Sequence, residues 1–376
     1  MILRAAALAI ALASGCLPAL AQAGSDAPAE GARQAADDLR GAVEALNAAK
    51  GARDRVAALT RTIRAYESGL GALRDGLRRA AIREREIAAE FEAKRDRIGQ
   101  LLAVMATMES GEVPLSLLHP GGPEGTVRSA LILSAVTPAL QAEAKALQER
   151  LQEVADLRRL QTEAADTLGR GLTAAQEART ALSQAMQDRT DLPRRFLEDP
   201  EELKELLASV ETLDGFASGL IEMETDVSAP MEDFGAAKGS LPLPVYGTLL
   251  RRAGEADAAG IVRPGILIAT RPAALVTAPW PATIRYRGPL LDYGNVMILE
   301  PAAGYLLILA GLGTVYGETG DVVDAGAPLG LMTGDDTAAD AAEEGSGAGR
   351  TETLYMELRQ GKTTLDPAPW FRETAE

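Results

Sequence analysis

The amino-acid sequence predicts an α+β protein: a long antiparallel coiled-coil hairpin followed by a small antiparallel β-rich domain. Three observations carry that expectation. From Val56 onward apolar residues recur in steps of three and four. After residue 241 the pattern changes to short strand-like runs between Gly and Pro turns. The composition suits long helices, because 47% of the 376 residues are hydrophobic but only 4% are aromatic, and much of the apolar share is Ala and Leu.

Residues 1–23 read as an address. Arg4 precedes a short apolar run, and Ala21-Gln22-Ala23 fits the small-x-small cleavage rule, with Gly24 as the new start. The run is shorter than the roughly 20 residues that a membrane span needs. The expectation is a cleaved secretory signal and a periplasmic protein. Lipidation at Cys16, after Ala13-Ser14-Gly15, is the alternative, but the third position before the Cys holds Ala13 and not the usual Leu.

The hairpin is assigned to residues 24–195. Its first seam runs through Val56, Leu59, Ile63, Tyr66, Leu70, Leu73, Leu77, Ala80, Ile87, Phe91, Ile98, Leu101 and Met105, with Glu84 and Lys94 as polar interruptions. A repeat of about 3.5 residues held this long predicts a supercoil. A weaker pattern reaches back to Leu39. Residues 109–125 are rich in Pro and Gly and predict a break. A second helix follows over about 126–188, its seam including Leu133, Leu140, Leu147, Leu151, Leu168 and Leu182, with Pro138 as a bend or join. Helices of similar length joined by a short break fold back antiparallel; a parallel dimer of single long helices is the alternative. The apolar break segment 113–118 caps the rod or docks a partner. His119 beside it reads as a surface residue.

Residues 196–238 are assigned to a helix and a hinge. Asp199-Pro200-Glu201-Glu202 combines a capping carboxylate, Pro at the first helical position and acids in the first turn. Leu203, Leu206, Leu207, Val210, Leu213, Phe216 and Leu220 line one face of the helix that follows, so that face must lie against something. It either packs between rod and head or covers the head's groove.

Residues 239–376 form the head. Strands are expected over Val262–Ala269, Leu275–Ala278, Thr283–Arg287, Asn295–Glu300, Tyr305–Ala310 and Thr353–Arg359, with a turn at Asp292-Tyr293-Gly294-Asn295 and a solvated loop over 334–350.

Charge and residue counts exclude several classes. Lys and Arg total 38 against 54 Asp and Glu, a net charge of −16, which argues against a nucleic-acid partner. One Cys excludes a disulfide framework and a Cys-rich zinc site, and the chain holds one His.

The segments LPLPVYGTLLRRAG, RPGILIATRPAALVTAPWPATIRYRGPLLDYGNVMILEPAAGYLLILAGLG, GDVVDAGAPLG and LYMELRQGKTTLDPAPWF resemble, in order, the lysostaphin-like (LytM) metallopeptidase domain. With the leader and the coiled coil, the whole chain resembles the murein hydrolase activator (EnvC) family. Active LytM enzymes carry a His-x-Gly-x-Asp segment, a second His and a His-x-His pair, of which the first His, the Asp and the last His are the zinc ligands. Here Arg263 and Leu267 stand in the first, Gly311 at the second, and Thr353 and Tyr355 in the pair. Zinc needs N, S or O donors, and Arg, Leu and Gly side chains supply none. The expectation is a degenerate domain with no metal, no cofactor and no hydrolysis.

The resemblance implies what such a groove does. Proteins of this family activate periplasmic zinc-dependent N-acetylmuramoyl-L-alanine amidases for septal peptidoglycan splitting in cell division. Their coiled coil docks on an FtsEX-type ABC-transporter-like complex, and peptidoglycan is a further candidate partner. The groove residues are Arg263, Ile266, Leu267, Tyr293, Gly311, Leu312, Thr353, Tyr355 and Arg359. Arg263 and Arg359 are expected to meet acids of an incoming helix, Ile266, Leu267, Leu312 and Tyr355 to give apolar contact, and Tyr293 to anchor it. Arg359 bracing Glu357 is the plainer reading, and only one of Ile266 and Leu267 can face the groove. Rival functions are a passive peptidoglycan-binding scaffold and a periplasmic adaptor of a secretion or efflux complex.

Overall fold

A computed structural model of the chain describes residues 26–96, 99, 122–189, 192–193, 200–223, 234–257, 260–334 and 352–372. The expected leader with Cys16, the break segment with His119 and the acidic stretch 335–350 lie outside the described residues. No helix among the described residues is long and apolar enough to cross a membrane. The chain divides into two compact units, one of residues 71–170 and one of residues 1–70 with 171–376.

Among the described residues the N-terminal half holds three helices: α1 (Asp26–Ala48), α2 (Ala52–Ala93) and α3 (Gly122–Gln187), the last containing Pro138. The weak extension of the first seam toward Leu39 is a separate helix, because the chain leaves the helical conformation over residues 49–51 before α2 begins.

In the unit 71–170, α2 and α3 run antiparallel. Arg83 pairs with Glu153 at 2.7 Å, Arg158 with Glu84 at 2.8 Å and Arg150 with Glu90 at 3.8 Å, so rising numbers on one helix meet falling numbers on the other. Glu84, a polar interruption of the seam, is thereby explained: Arg158 and Gln161 both donate to it. Ala80 and Ile87 are buried, whereas Leu151, expected in the seam, is 55% exposed.

In the other unit, Val56, Leu59 and Ile63 of α2 cluster with Ala178 and Leu182 of α3 and with Leu275 and Tyr316 of the β-domain. Glu67 is buried at this junction. Its Oε1 accepts from Arg179 at 3.0 Å and from the Leu275 backbone N–H at 2.9 Å. A carboxylate stays dry only when it is hydrogen-bonded in this way.

The β-domain is one antiparallel sheet. Its strands are β1 (Gly247–Arg251), β2 (Ile266–Thr270), β3 (Leu275–Thr277), β4 (Ala282–Pro289), β5 (Asn295–Ala302), β6 (Tyr305–Val315), β7 (Val322–Val323), β8 (Pro328–Met332), β9 (Glu352–Gln360) and β10 (Thr363–Leu365). They lie in the order β1-β2-β9-β6-β5-β4-β7; β8 pairs with β3 and β6, and β10 with β9. Strands β1, β7, β8 and β10 were not anticipated from the sequence.

Alternation sorts the side chains to two faces. Ile266, Ile268, Met297, Leu299, Leu307, Leu309, Leu354, Met356 and Leu358 fill one core, which also takes Phe234 and Trp370, stacked at 4.8 Å. Val296, Ile298, Leu306, Ile308, Ala310 and Tyr355 form the other. Over that second face lie two short helices, α4 (Pro200–Ser209) and α5 (Leu213–Glu222), rather than the single helix expected over 199–222. The chain turns at Val210–Thr212, and Thr212 caps α5, its Oγ1 accepting the Gly215 N–H at 3.0 Å.

Candidate functional site

The candidate site is the sheet face beneath α4 and α5. Strand β9 sits between β2 and β6, with Leu267 and Ala310 both opposite Tyr355, Ile308 opposite Glu357 and Leu306 opposite Arg359. The period of two sends Tyr355, Glu357 and Arg359 to this face and Leu354, Met356 and Leu358 to the core behind it.

Helix α5 covers the face with Leu213, Phe216, Ala217 and Leu220, all buried. Phe216 meets Tyr286 edge-on at 4.8 Å. Leu203, Leu206, Leu207 and Val210 pack partly buried on the same cluster, as do Leu267 and Tyr293. Tyr293 lies 6.0 Å from Tyr355 between ring centroids.

Charge is buried under this cover. Arg359 is 1% exposed and donates to Glu357 at 3.1 Å and to the Lys362 carbonyl at 3.1 Å. It also pairs at 2.7 Å with Asp214, in the first turn of α5. Arg285 donates to Glu300 at 3.0 Å and to the Leu220 carbonyl near the other end of α5 at 2.9 Å. The helix is thus held at both ends, by an acid where its dipole is positive and by a carbonyl where it is negative. The Tyr355 hydroxyl donates to Glu357 at 2.6 Å and accepts the Gly265 N–H at 3.2 Å. Burial, reinforced by the Glu357 charge, pushes the Tyr355 phenol far up, so it stays protonated. Burial also pushes the Glu357 carboxyl up, against the Tyr355 hydrogen bond and Arg359.

The remaining sequence-derived residues divide. Arg263 is half-buried at the approach to β2, and Thr353 is exposed at the start of β9. Gly311 has φ +98°, and a Cβ there would stand 2.6 Å from the Thr353 carbonyl oxygen. Three expectations are corrected. Ile266 faces the opposite core, because its neighbour Leu267 takes the site face. Leu312 joins that opposite core too, since the positive φ of Gly311 interrupts the alternation of β6. Arg359 is not open to a partner; Glu357 and Asp214 already hold it. Sequence reasoning missed Arg285, Glu300 and Asp214. Arg285 lies within β4 and Glu300 within β5, and the register irregularity between Ile284 and Tyr286 hides from simple alternation that Arg285 is buried.

The family comparison matches Peptidase family M23 over residues 262–367, the span that contains β2 to β10. The C-terminal region of this chain is an M23 domain. Among curated proteins, the chain is 26% identical over 162 residues to the uncharacterized protein NMB1333 of Neisseria meningitidis serogroup B, covering 41% of this chain and 25% of that protein. The chain therefore spans about a quarter of the length of the curated relative it matches. Among solved structures, a Pseudomonas aeruginosa protein assigned to peptidase M23 aligns at 16% identity and TM-score 0.33, over 47% of this chain and 65% of that one. The catalytic domain of the prophage-encoded M23 protein EnpA of Enterococcus faecalis aligns at 18% identity and TM-score 0.28, over 36% and 97%.

The resemblance to LytM metallopeptidases implies zinc at the positions that Arg263, Leu267 and Tyr355 occupy here. Arg263 is a cation and Leu267 has no donor atom. The phenol of Tyr355 is committed to Glu357 and Gly265. Glu357 is taken by Tyr355 and Arg359. This donor set does not fit a tetrahedral zinc site, which draws on imidazole, thiolate or carboxylate.

Proposed function

We propose that the chain is a non-catalytic activator of periplasmic zinc-dependent N-acetylmuramoyl-L-alanine amidases in septal peptidoglycan splitting. In this reading α2 and α3 form a coiled-coil hairpin that answers to an FtsEX-type complex, and α4–α5 is a displaceable arm over the partner-binding face of the M23 domain. The observation that carries it is α5 itself. The face where a peptidase would bind substrate takes an amphipathic helix, and helix-in-groove docking is an established mode of partner recognition.

The chemistry is consistent with exchange. Residues 239–376 contain no His, so the face has no imidazole to bind zinc or act as base. What it has is Arg359 and Arg285, poised for an acid at a helix start and a carbonyl at a helix end. A second helix with an acidic first turn competes for the same two groups. Displacing the arm needs only that the partner, or the coiled coil, favours the open state.

In-frame removal of residues 200–222, and separately Asp214→Arg, tests the reading in a mixture of purified chain, amidase and dye-labelled sacculi. Repulsion from Arg359 opens the arm by about 1 kcal/mol, so Asp214→Arg raises dye release roughly fivefold at limiting chain. Dye release unchanged by both variants, in chains that remain folded, sinks the reading. So does dye release by the chain alone that a chelator abolishes.

A further inference from the structure

A cleft of about 710 Å³ lies between α1, the first half of α2 and the segment leading into β1. It shares no lining residue with the face under α5. Three guanidiniums line it, from Arg61, Arg64 and Arg372.

Each of the three is bonded to neutral acceptors only, among the described residues. Arg61 donates to the Ala57 carbonyl at 3.3 Å and Arg372 to the Ser240 carbonyl at 2.7 Å. Arg64 donates to the Thr277 hydroxyl and, at 3.5 Å, to the Leu243 carbonyl. The nearby carboxylate, Glu67, accepts from Arg179 and the Leu275 N–H through Oε1 alone, and its buried Oε2 has no hydrogen-bond partner among the described residues. Its field does not offset the burial of Arg64, whose pKa is lowered. Across the cleft, Asp37 pairs with Arg40 and Asp38 accepts the Gln34 amide. Three carboxylates line the cleft beside the three guanidiniums, and two of them, Asp37 and Glu67, also pair with cations outside the lining, Arg40 and Arg179, which leaves the guanidiniums in excess. In a chain of net charge −16, this local surplus runs opposite to the whole.

We propose that this cleft binds an acidic peptide, its carboxylates held by Arg61, Arg64 and Arg372. Guanidinium forks match carboxylates bidentately. The volume lies within the roughly 300–1,000 Å³ of ligand sites. The remaining wall includes Leu243, Val245 and Tyr246, which suits the apolar stem of a peptide rather than a bare ion. The proposal does not rest on the amidase reading.

The test uses the full chain and a fluorescein-labelled pentapeptide, Ala-Glu-Ala-Glu-Ala, read by anisotropy. Its Gln counterpart carries no carboxylate side chains and should bind at least about tenfold more weakly, the loss of one charge-assisted contact. Arg61→Glu with Arg372→Glu should weaken the acidic peptide by a similar factor, while circular dichroism and the melting temperature stay unchanged. Equal binding of the Gln peptide overturns the proposal, whatever the variants do. So does full affinity in the folded double variant, absence of binding at millimolar peptide, or displacement of the peptide by equimolar inorganic phosphate, which would make the cleft a general oxyanion site.

Discussion

The two faces of the β-domain sheet are built from the same strands and sealed in different ways. The rear face is closed by apolar side chains, with Phe234, Tyr305 and Trp370 packed ring against ring. The front face has an apolar cluster of its own but buries Arg285, Glu300, Glu357 and Arg359 beside it. Its seal is α5, whose Leu213, Phe216 and Leu220 each contribute roughly 1.5–3 kcal/mol of burial. Apolar packing with matched shapes favours one permanent partner. Buried ion pairs add little net stability, yet they penalise any occupant that cannot satisfy them. The rear face is therefore a core, and the front face is a socket with a stated polarity.

The largest expected effect comes from emptying the socket of one charge. Arg359→Met leaves Glu357 buried without its cation and should cost about 3–5 kcal/mol in denaturant unfolding. Adding Glu357→Leu to the same chain should return most of that loss, because the pair itself is worth little. A single variant costing under about 1 kcal/mol would mean that the two faces do not differ in this way.

Next in size is a cavity made on either side. Phe216→Ala in α5 and Met297→Ala in the rear core each remove roughly 2–4 kcal/mol of packing. The location of the loss separates them. Hydrogen exchange should quicken only at residues 200–222 in the first variant, while β5 and β6 quicken in the second. If β6 opens equally in both, α5 is an integral part of the core and not a separable cover.

The sequence was informative where one periodicity rules and silent where side chains meet across long separations. The α2 seam was legible because Val56, Leu59 and Ile63 repeat at helical spacing, and all three are buried. The strands β2, β5, β6 and β9 were legible from apolar runs. Strand β1 was not, because Leu249 and Leu250 are 41% and 57% exposed and give no alternation. The turn at Val210–Thr212 was hidden because the apolar face continues from Leu207 to Leu213 across it. Tyr355 and Leu267 were reachable through the family resemblance. Arg285 was not: its burial depends on Glu300 on the next strand and on the Leu220 carbonyl of a helix far back in the chain. A cation in a strand reads as solvent-facing until those partners are known.

The smallest effect is a pH dependence confined to the socket. Burial raises the Glu357 carboxyl above its unfolded value, so the native state holds this proton more tightly than the unfolded chain does. The contribution is fully present below the unfolded carboxyl range and is lost as pH rises through the raised native value. Glu357→Gln removes the titration. The difference in unfolding free energy between the natural chain and this variant should therefore drift against the natural chain as pH rises above about 4.3, and flatten once Glu357 is ionised in both states. Met297→Ala leaves Glu357 in place, so it should run parallel to the natural chain over the same pH range. A Glu357→Gln difference that grows in favour of the natural chain with rising pH would place the carboxylate's attraction to Arg359 above its desolvation, and the front face would then count as an electrostatic clamp.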